Sequence, residues 1–362
     1  MFEAIRNRYK RIKTFVLTHR RHAPTAALVT GFIWDNLTLG RPDQLFDNVV
    51  LLFYLLLAGG GIVFLNRMRE RGGTPSLWYL VLIQFSFGNL ASAMFVLYGI
   101  SGTFISNWPF FLLLIGLLVG NEFLKGKYLF LSVNAVIYSV LLFSYAILIV
   151  PILVRSIGPG IFLLSGVVGL MLSGLFIGAV YLVAPQTVIV RKRILAGSII
   201  GVYLVFNALY FTHLIPPVPL ALRDIAVYHH VERSTSGEYL VTTEDIPWYA
   251  FWRWFGTTFH YATDARAYCF TSVFAPARIN TPVFHVWEFY DEAGEKWREK
   301  SRVSFPIEGG RDEGFRGYSI KAIDEPGEWR CSVETPQGAL IGRKNFDAIQ
   351  VPTEPDFVIK ER

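Results

Sequence analysis

The sequence is poor in charged residues and in cysteine, and common signatures of catalytic sites are missing from it. Only 17% of its 362 residues are charged, 52% are hydrophobic, and there are two cysteines. It has no paired-cysteine spacing, no His-Glu-x-x-His motif and no glycine-rich phosphate loop at a strand-to-helix junction. These absences leave metal sites, nucleotide chemistry and nucleic-acid binding without support, so we expect no metal, no cofactor and no nucleic-acid partner. The composition is too apolar for an ordinary soluble protein.

Hydrophobic runs fill the first 215 residues. A membrane-spanning helix needs roughly 20 mostly apolar residues. The candidate runs are 24–39, 46–65, 76–100, 104–122, 128–154, 160–184 and 194–215. The first is the weakest, because it is short and carries Asp35, and whether it fully crosses is left open. The sequence therefore predicts an all-α membrane domain of about seven helices over residues 24–215.

The positions of the basic residues predict the orientation of this domain. Residues 1–23 contain seven Lys and Arg and no long apolar core, so we expect a cytoplasmic tail and no cleavable signal peptide. With seven spans, 15 basic residues fall in cytoplasmic segments, and two, Arg41 and Arg155, fall in outer loops. Lys and Arg near span ends stay on the cytoplasmic side. The chain after about Ile215 is therefore predicted to lie outside the cytoplasm.

Polar residues near the predicted outer ends of the spans have two interpretations. They are Asp35, Asn36, Asp47, Asn48, Asn207 and His213. Polar groups inside a membrane are costly, so these residues are candidates for one cavity that holds a cation, a proton or a lipid head group. Alternatively, they lie at the water interface and cap helix ends. Small residues at helical spacing, Gly116/Gly120, Gly174/Gly178 and Gly197/Gly201, are predicted to form helix-packing faces.

A proline-rich exit at Pro216–Pro219 begins a predicted linker over residues 216–263. Within it, Trp248, Phe251, Trp252, Phe255 and Phe259 recur at helical spacing after two acidic residues. This pattern predicts an amphipathic aromatic helix, either lying on the outer leaflet or packed on the following domain.

From residue 264 to 352, short runs rich in Val, Phe, Tyr and Trp alternate with turn signals, and residues 353–362 form a tail. The predicted strands are 266–274, 282–290, 296–306, 315–323, 328–334 and 339–349, with an earlier one at 224–232. This pattern favours a C-terminal all-β, immunoglobulin-like sandwich. Cys269 and Cys331 fall in two of these strands, and both a disulfide and two buried thiols remain open.

Three stretches, FHVWEFYDEAGEKW, RGYSIKAIDEPGEWRCSVETPQGALIG and RKNFDAIQV, resemble a bacterial family known as domain of unknown function twenty-nine-fourteen. The stretch GFIWDNLTLGRPDQLFDN is similar to the multi-pass membrane region that accompanies that domain. The resemblance covers roughly residues 264–352 and implies a β-domain on a bacterial membrane bundle, with no established activity. The residues of this sequence that match the family pattern are His285, Trp287, Arg316, Ser319, Lys321, Gly327 and Trp329. The sequence departs from the pattern at Gly317.

The matched residues His285, Trp287, Arg316, Ser319, Lys321 and Trp329 are candidates for ligand or partner binding, or for structural roles. Ser319 shares a strand face with Lys321 and not with Arg316, which weakens a catalytic Ser-His pair. His229, His230 and Glu232 invite a metal site, but adjacent strand residues point to opposite faces.

These observations favour a non-catalytic protein of the bacterial inner membrane, multi-pass, with a cytoplasmic N-terminus and a periplasmic β-domain. The β-domain is predicted to bind an envelope glycan, a lipid or a protein partner, and membrane lipid surrounds the bundle. A small transporter or lipid-handling protein that uses Asp35 and Asp47, with the β-domain as a lid, is the second hypothesis. A membrane-bound enzyme is the third.

Overall fold

The computed structural model describes residues 32–362, except 34, 36, 75–76, 124–127, 129, 236, 246–256, 263–264, 277–278, 309, 311–313 and 354. The chain divides into two compact units. The helical unit runs up to Tyr98 and includes Trp108–Ile149 and Leu163–Tyr210. The β-unit comprises Gly99–Asn107, Val150–Phe162 and Phe211–Arg362.

Six helices have bounds within the described part of the chain, fewer than the seven predicted, and residues 32, 33, 35, 37 and 38 of the first predicted run are helical as well. They are α1 (Leu45–Glu70), α2 (Leu77–Ile100), α3 (Trp108–Phe123), α4 (Leu131–Val154), α5 (Pro159–Val183) and α6 (Pro185–Phe211). Five are long and apolar enough to cross a membrane, which makes this a membrane-embedded protein. Helix α3 has 16 residues and a length of about 24 Å, less than the roughly 30 Å hydrocarbon core. Most of the first predicted run, 24–39, lies outside the described residues.

Helix α6 begins at Pro185 and not at the predicted position 194, so the basic run Arg191–Arg193 is helical. Proline suits the first turn of a helix, because its missing N–H would have no partner there. With 27 residues, α6 is about 40 Å long and exceeds the roughly 30 Å apolar core. The basic residues near its N-terminus therefore extend beyond the apolar core as part of the helix and not as a separate loop.

Helix α4 is the central helix of the helical unit, because 78% of its most apolar stretch is buried. Its sequence is apolar on every face, which is typical of a helix enclosed by others. The Tyr138 hydroxyl of α4 donates to the Leu55 carbonyl of α1 at 3.0 Å. The Tyr98 hydroxyl of α2 donates to the Ser144 carbonyl of α4 at 2.8 Å. These bonds tie α1 and α2 to α4.

The predicted glycine packing faces meet no neighbour among the described residues. A Cβ added at Gly116, Gly120, Gly174, Gly178, Gly197 or Gly201 would have no atom from another part of the described chain within 4 Å. Close approach occurs at other glycines: a Cβ at Gly169 would lie 2.9 Å from the Phe143 ring, and one at Gly59 would lie 2.6 Å from the Tyr138 hydroxyl. The pattern misled because spacing identifies a helix face but not which face meets a neighbour.

Eleven strands form the β-unit within the described residues. They are β1 (Ala221–Tyr228), β2 (His230–Arg233), β3 (Tyr239–Glu244), β4 (Thr257–Tyr261), β5 (Arg266–Phe274), β6 (Asn280–Asp291), β7 (Lys296–Glu308), β8 (Phe315–Ala322), β9 (Gly327–Glu334), β10 (Leu340–Gln350) and β11 (Phe357–Glu361). Three sheets have the orders β1-β5-β8, β4-β10-β9-β6-β7 and β11-β3-β2. All pairs are antiparallel except β4 with β10.

The first two sheets pack face to face as a β-sandwich around a core that includes Trp287, Trp329, Phe346 and both cysteines. Cys269 of β5 and Cys331 of β9 form a disulfide between these sheets. Of the two alternatives left open by the sequence, the structure has the bond. Closing this loop stabilises the fold by roughly 4 kcal/mol in the chain-entropy model.

The six predicted strands from 266 to 349 correspond to β5–β10, but the flanking predictions need correction. Residues 216–263 contain β1 to β4 and are not a linker, and the predicted tail 353–362 contains β11. The predicted aromatic helix falls mostly on 246–256, outside the described residues, and Phe259 lies in β4. The sandwich is present, while immunoglobulin-like strand order stays a prediction.

Two segments between helices belong to the β-unit. The Asn107 side chain donates to the His213 carbonyl at 3.3 Å. Ile157 packs against a buried cluster that includes Leu220 and Val273. The residues after α2, after α4 and after α6 are therefore joined in one unit.

Two glycines of α5 provide a matched test of packing in the helical unit. Gly169→Ala places a Cβ against Phe143 of α4, and overpacking of this kind costs about 1–3 kcal/mol. Gly174→Ala adds a methyl group in open space. We expect the first variant to lower the thermal unfolding midpoint of the full-length protein in nanodiscs and the second to leave it unchanged or raised. Equal effects would contradict the described packing.

Candidate functional site

A buried chain of hydrogen bonds links the two sheets of the sandwich. His285 and Trp287 lie two residues apart on β6 and so share its inner face. His285 Nε2 is 2.8 Å from Thr271 Oγ1 of β5, and Nδ1 is 2.9 Å from Ser319 Oγ of β8. Trp287 Nε1 donates to the same Ser319 Oγ at 2.9 Å. Three residues of the family pattern therefore meet at one place.

The hydrogen-bond pattern fixes the proton positions in this chain. Burial lowers the pKa of His285 to about 3, so the ring is neutral and has one donor and one acceptor nitrogen. In the one assignment that gives every donor an acceptor among the contacts of this chain, Ser319 Oγ accepts from Trp287 Nε1 and donates to His285 Nδ1. His285 Nε2 then donates to Thr271 Oγ1, and the Thr271 hydroxyl donates to the Gly317 carbonyl at 3.5 Å. Every donor has an acceptor.

This Ser-His contact has the distance of a catalytic pair but not the access. His285 is 0% exposed and Ser319 is 3% exposed. A nucleophile needs its substrate within reach, and the Ser319 proton is already directed at the imidazole. The chain is therefore a buried polar network of the kind that fixes one packing arrangement.

The other residues of the family pattern lie elsewhere. Trp329 is fully buried and its Nε1 donates to the Glu325 carbonyl at 3.0 Å. The Arg316 guanidinium forms an ion pair with Glu238 at 2.5 Å. Lys321 is half-buried on β8. The six predicted residues therefore do not form one binding site.

Three residues of types that can bind a metal lie together at the disulfide. Donor atoms of Cys269, Cys331 and His285 lie within 4.8 Å of one another. The fit to a metal is poor, because the metal ligand is a thiolate and both sulfurs are in the disulfide. Both ring nitrogens of His285 also have partners.

A second histidine cluster, which the sequence analysis missed, centres on Glu244 of β3. Glu244 Oε1 is 3.3 Å from His229 Nε2, and Oε2 is 2.9 Å from His260 Nδ1. The His260 backbone N–H also donates to Glu244 at 2.8 Å. His230 and Glu232, which the sequence analysis considered with His229 as a metal site and disfavoured, are exposed and do not belong to this cluster.

Glu244 is negatively charged in the folded protein. Burial raises its pKa, but the hydrogen bonds from His229 and His260 outweigh burial and lower the pKa to about 2. The carboxylate therefore stabilises the fold above pH 4.5, and this stabilisation is lost as the pH falls toward 2. His229 lies between β1 and β2, while Glu244 and His260 lie on β3 and β4 of different sheets, so spacing along the chain gives no sign of the cluster.

Three of the predicted intramembrane polar residues, Asp35, Asp47 and Asn48, lie in the helical unit. Asp35 and Asp47 are buried, and Asp47 Oδ2 accepts the N–H groups of Gly40 and Arg41, each at 3.3 Å. Asn48 donates to the carbonyls of Pro42 and Gln44, each at 2.9 Å.

The remaining members of the predicted set are Asn207, His213 and Asn36. Asn207 donates to the Tyr203 carbonyl in its own helix at 2.8 Å. His213 is exposed and belongs to the β-unit, and Asn36 lies outside the described residues. Hydrogen bonds to nearby backbone carbonyls therefore account for Asn48, and bonding within α6 accounts for Asn207.

The outer face of the five-stranded sheet carries two arginine clusters. Arg330 of β9 forms a bidentate pair with Glu288 of β6, at 2.6 and 2.7 Å. Its guanidinium also lies 4.1 Å from the centre of the Trp297 ring, which contacts Tyr290 at 5.2 Å. Bidentate pairing and ring stacking together fix the guanidinium plane.

The second cluster lies farther along the same face. Arg302 of β7 pairs with Glu299 at 3.2 Å and with Glu334 at 3.0 Å, and lies 5.6 Å from the centre of the Phe284 ring. Positive and negative groups thus alternate across β7, β6 and β9. The face is polar, aromatic and close to charge-balanced.

The buried state of His285 predicts a specific pH dependence. The native ring stays neutral down to about pH 3, whereas the unfolded chain takes up a proton below the ordinary pKa of 6.5. Stability should therefore fall by about 1.4 kcal/mol for each pH unit below 6.5. Between pH 6.5 and 5, the unfolding midpoint of full-length protein in nanodiscs should fall less for His285→Gln than for the unmodified chain.

His230→Gln is the control for this experiment, because His230 is an exposed histidine of the same unit. It should keep the pH dependence of the unmodified protein. An unchanged pH dependence in His285→Gln would show that the ring titrates equally in the folded and unfolded states.

Comparison with known proteins adds a family but no activity. Residues 280–348 match the model of a family described as "Protein of unknown function (DUF2914)". No curated protein matches the chain. One solved structure, Pseudomonas fluorescens alkylpurine DNA glycosylase AlkC bound to DNA containing an abasic site analog, covers 83% of this chain and 98% of its own at 7% identity. Its TM-score of 0.20 is too low to bear on fold or function. The family match confirms the sequence resemblance over β6–β10: residues 280–348 of the C-terminal β-sandwich are similar to the DUF2914 family.

Proposed function

We propose that this protein is a non-catalytic membrane anchor whose β-sandwich binds an envelope component or a protein partner through the outer face of its five-stranded sheet. The observation that supports this proposal is the environment of Arg330. It is held by Glu288 and Trp297 in a fixed orientation at a partly exposed position. Fixed, paired guanidinium and carboxylate groups beside aromatic rings suit partners with hydroxyl or amide groups, because the donors and acceptors are already ordered.

The placement of the family residues supports this face over the predicted site. His285, Trp287, Ser319 and Trp329 are buried and have internal partners. Binding must use groups that reach a partner, and the Arg330 and Arg302 clusters lie on the outer side of the same strands.

The proposed setting is the inner membrane of a bacterium with the β-unit in the periplasm. Basic residues at the α1 C-terminus and α6 N-terminus support this orientation, because such residues stay cytoplasmic. A disulfide in the β-unit is in keeping with an oxidising compartment.

Photo-crosslinking in intact cells tests the binding face. A photoreactive phenylalanine at Tyr290 is placed beside Trp297, and the matched position Tyr318 lies on β8 in the other sheet. We expect an adduct from position 290 only, and its loss on Arg330→Gln. The mass of the adduct distinguishes a glycan from a protein.

Arg298→Gln is the control substitution, because Arg298 is an exposed arginine of β7 outside both clusters. It should leave the adduct intact. Equal adducts from positions 290 and 318, or an adduct unaffected by Arg330→Gln, would argue against this binding face.

A second candidate function, ion or lipid handling by the helical unit, is supported by two buried carboxylates. Asp47 is 1% exposed, and its Oδ1 makes no hydrogen bond to the described part of the chain. The same holds for Oδ2 of Asp35, which is 7% exposed. Buried carboxylates in membrane segments are costly and commonly serve ion or proton pathways.

Proton uptake by proteoliposomes loaded with a pH-sensitive dye tests this candidate. Asp47→Asn should abolish uptake without lowering abundance, whereas Asp43→Asn, which removes a carboxylate paired with Arg41, should not. Uptake that persists in Asp35→Asn and Asp47→Asn would remove these residues from any proton pathway.

A further inference from the structure

The helical unit contains a cavity of about 340 Å³ at the end where α1 finishes and α6 begins. It is lined by Arg69, Leu131, Gln186, Thr187, Val190 and Arg191. Two of these side chains are guanidinium groups, two are neutral and polar, and two are apolar. The cavity is large enough for a phosphate-containing head group, since small-molecule sites begin at roughly 300 Å³.

The charge around the cavity is positive. Arg67, Arg71, Lys192 and Arg193 occupy the same helix ends and are exposed. Glu70 is the neighbouring acid, and its carboxylate accepts the Gln186 N–H at 2.9 Å and the Thr187 hydroxyl at 2.7 Å. Glu70 thus caps α6, and recognition of a ligand falls to the two arginines.

Arg191 is positioned by neutral groups. One of its Nη atoms donates to Ser132 Oγ of α4 at 3.3 Å, and its guanidinium lies 5.8 Å from the centre of the Phe130 ring. An arginine has five N–H donors, so donors remain for a ligand. A hydroxyl and an aromatic ring orient the guanidinium, and neither of these groups carries a negative charge.

We propose that this cavity binds a phosphate group through Arg69 and Arg191, and that the phosphate belongs to an anionic membrane phospholipid. Guanidinium groups bind phosphate oxygens in a bidentate manner. Leu131 and Val190 give the cavity apolar walls for the glycerol and acyl parts of a lipid. Basic pockets between membrane helices are typical sites for anionic head groups.

Native mass spectrometry of the delipidated full-length protein in detergent tests the proposal. Dioleoyl phosphatidylglycerol is the anionic probe and dioleoyl phosphatidylcholine is the zwitterionic control. The double variant Arg69→Gln/Arg191→Gln should bind the anionic lipid at least about tenfold more weakly than the unmodified protein. Arg67→Gln/Lys192→Gln removes the same charge from exposed residues outside the cavity lining and should bind like the unmodified protein.

A charge-keeping variant separates a binding defect from misfolding. Arg69→Lys/Arg191→Lys retains the positive charges but loses the planar fork, so it should fold and bind at an intermediate level. Equal weakening in the cavity and control variants, or undiminished lipid binding in both cavity variants, would overturn the proposal.

Inorganic phosphate distinguishes the two sources of the ligand. If phosphate raises the unfolding midpoint of the unmodified protein but not of the cavity variant, while the anionic lipid shows no preference, the ligand is a soluble phosphate and the lipid assignment is wrong. Preference for phosphatidylglycerol without an effect of free phosphate supports the lipid. No response to either probe overturns the site.

Discussion

The enclosed contact between the two sheets of the sandwich determines most of what the β-unit can do. The disulfide joins β5 to β9, and the Thr271–His285–Ser319 chain joins β5 and β8 to β6. A neutral histidine is stable there only because each of its nitrogens has a partner, since an unpaired buried polar group is costly. With the interior fixed in this way, recognition is left to the outer faces.

The helical unit depends on a different constraint, the close approach of other helices to α4. Gly169 lets the Phe143 ring approach α5, and Gly59 leaves room for the Tyr138 hydroxyl to reach α1. In lipid, tight packing and hydrogen bonds between helices replace the hydrophobic effect as the source of association. A large aromatic residue on one helix facing a glycine on the next is the means used here.

The type of each helix or strand could be predicted where local sequence signals agreed. Which strands pair with one another could not be predicted. The strands β5–β10 combine β-branched and aromatic runs with turn residues, so their positions followed from the sequence. In the predicted linker only the strand at 224–232, which overlaps β1 and β2, was anticipated, and β3 and β4 were missed. These strands are short, and their pairing partners lie up to about a hundred residues away along the chain. The helical start at Pro185 was hidden by the charges of Arg191–Arg193, which hydropathy alone assigns to a loop.

The candidate sites show the same contrast: single residues could be identified from the sequence, but the residues that surround them could not. His285 and Trp287 were found through family resemblance, but their burial depends on β5 and β8, which approach from the other sheet. Glu244 and His260 carried no signal, because the cluster is assembled from two strands of different sheets and from the residue between β1 and β2. The arginine face was readable in principle: Glu288, Arg330 and Ser332 alternate with buried neighbours at the period of two that places them on one side of the sheet.

Strand β7 has a consequence for solubility. It is 13 residues long and lies at one end of its sheet, with β6 as its neighbour. A long strand at the edge of a sheet is a template on which another chain can add a strand, and this is a common start of aggregation. Strand β7 carries a basic residue at every second position from 296 to 302, namely Lys296, Arg298, Lys300 and Arg302, and Pro306 lies near its end. Charge and proline on the edge disfavour such pairing, so the sheet can display a rigid outer face without recruiting further strands.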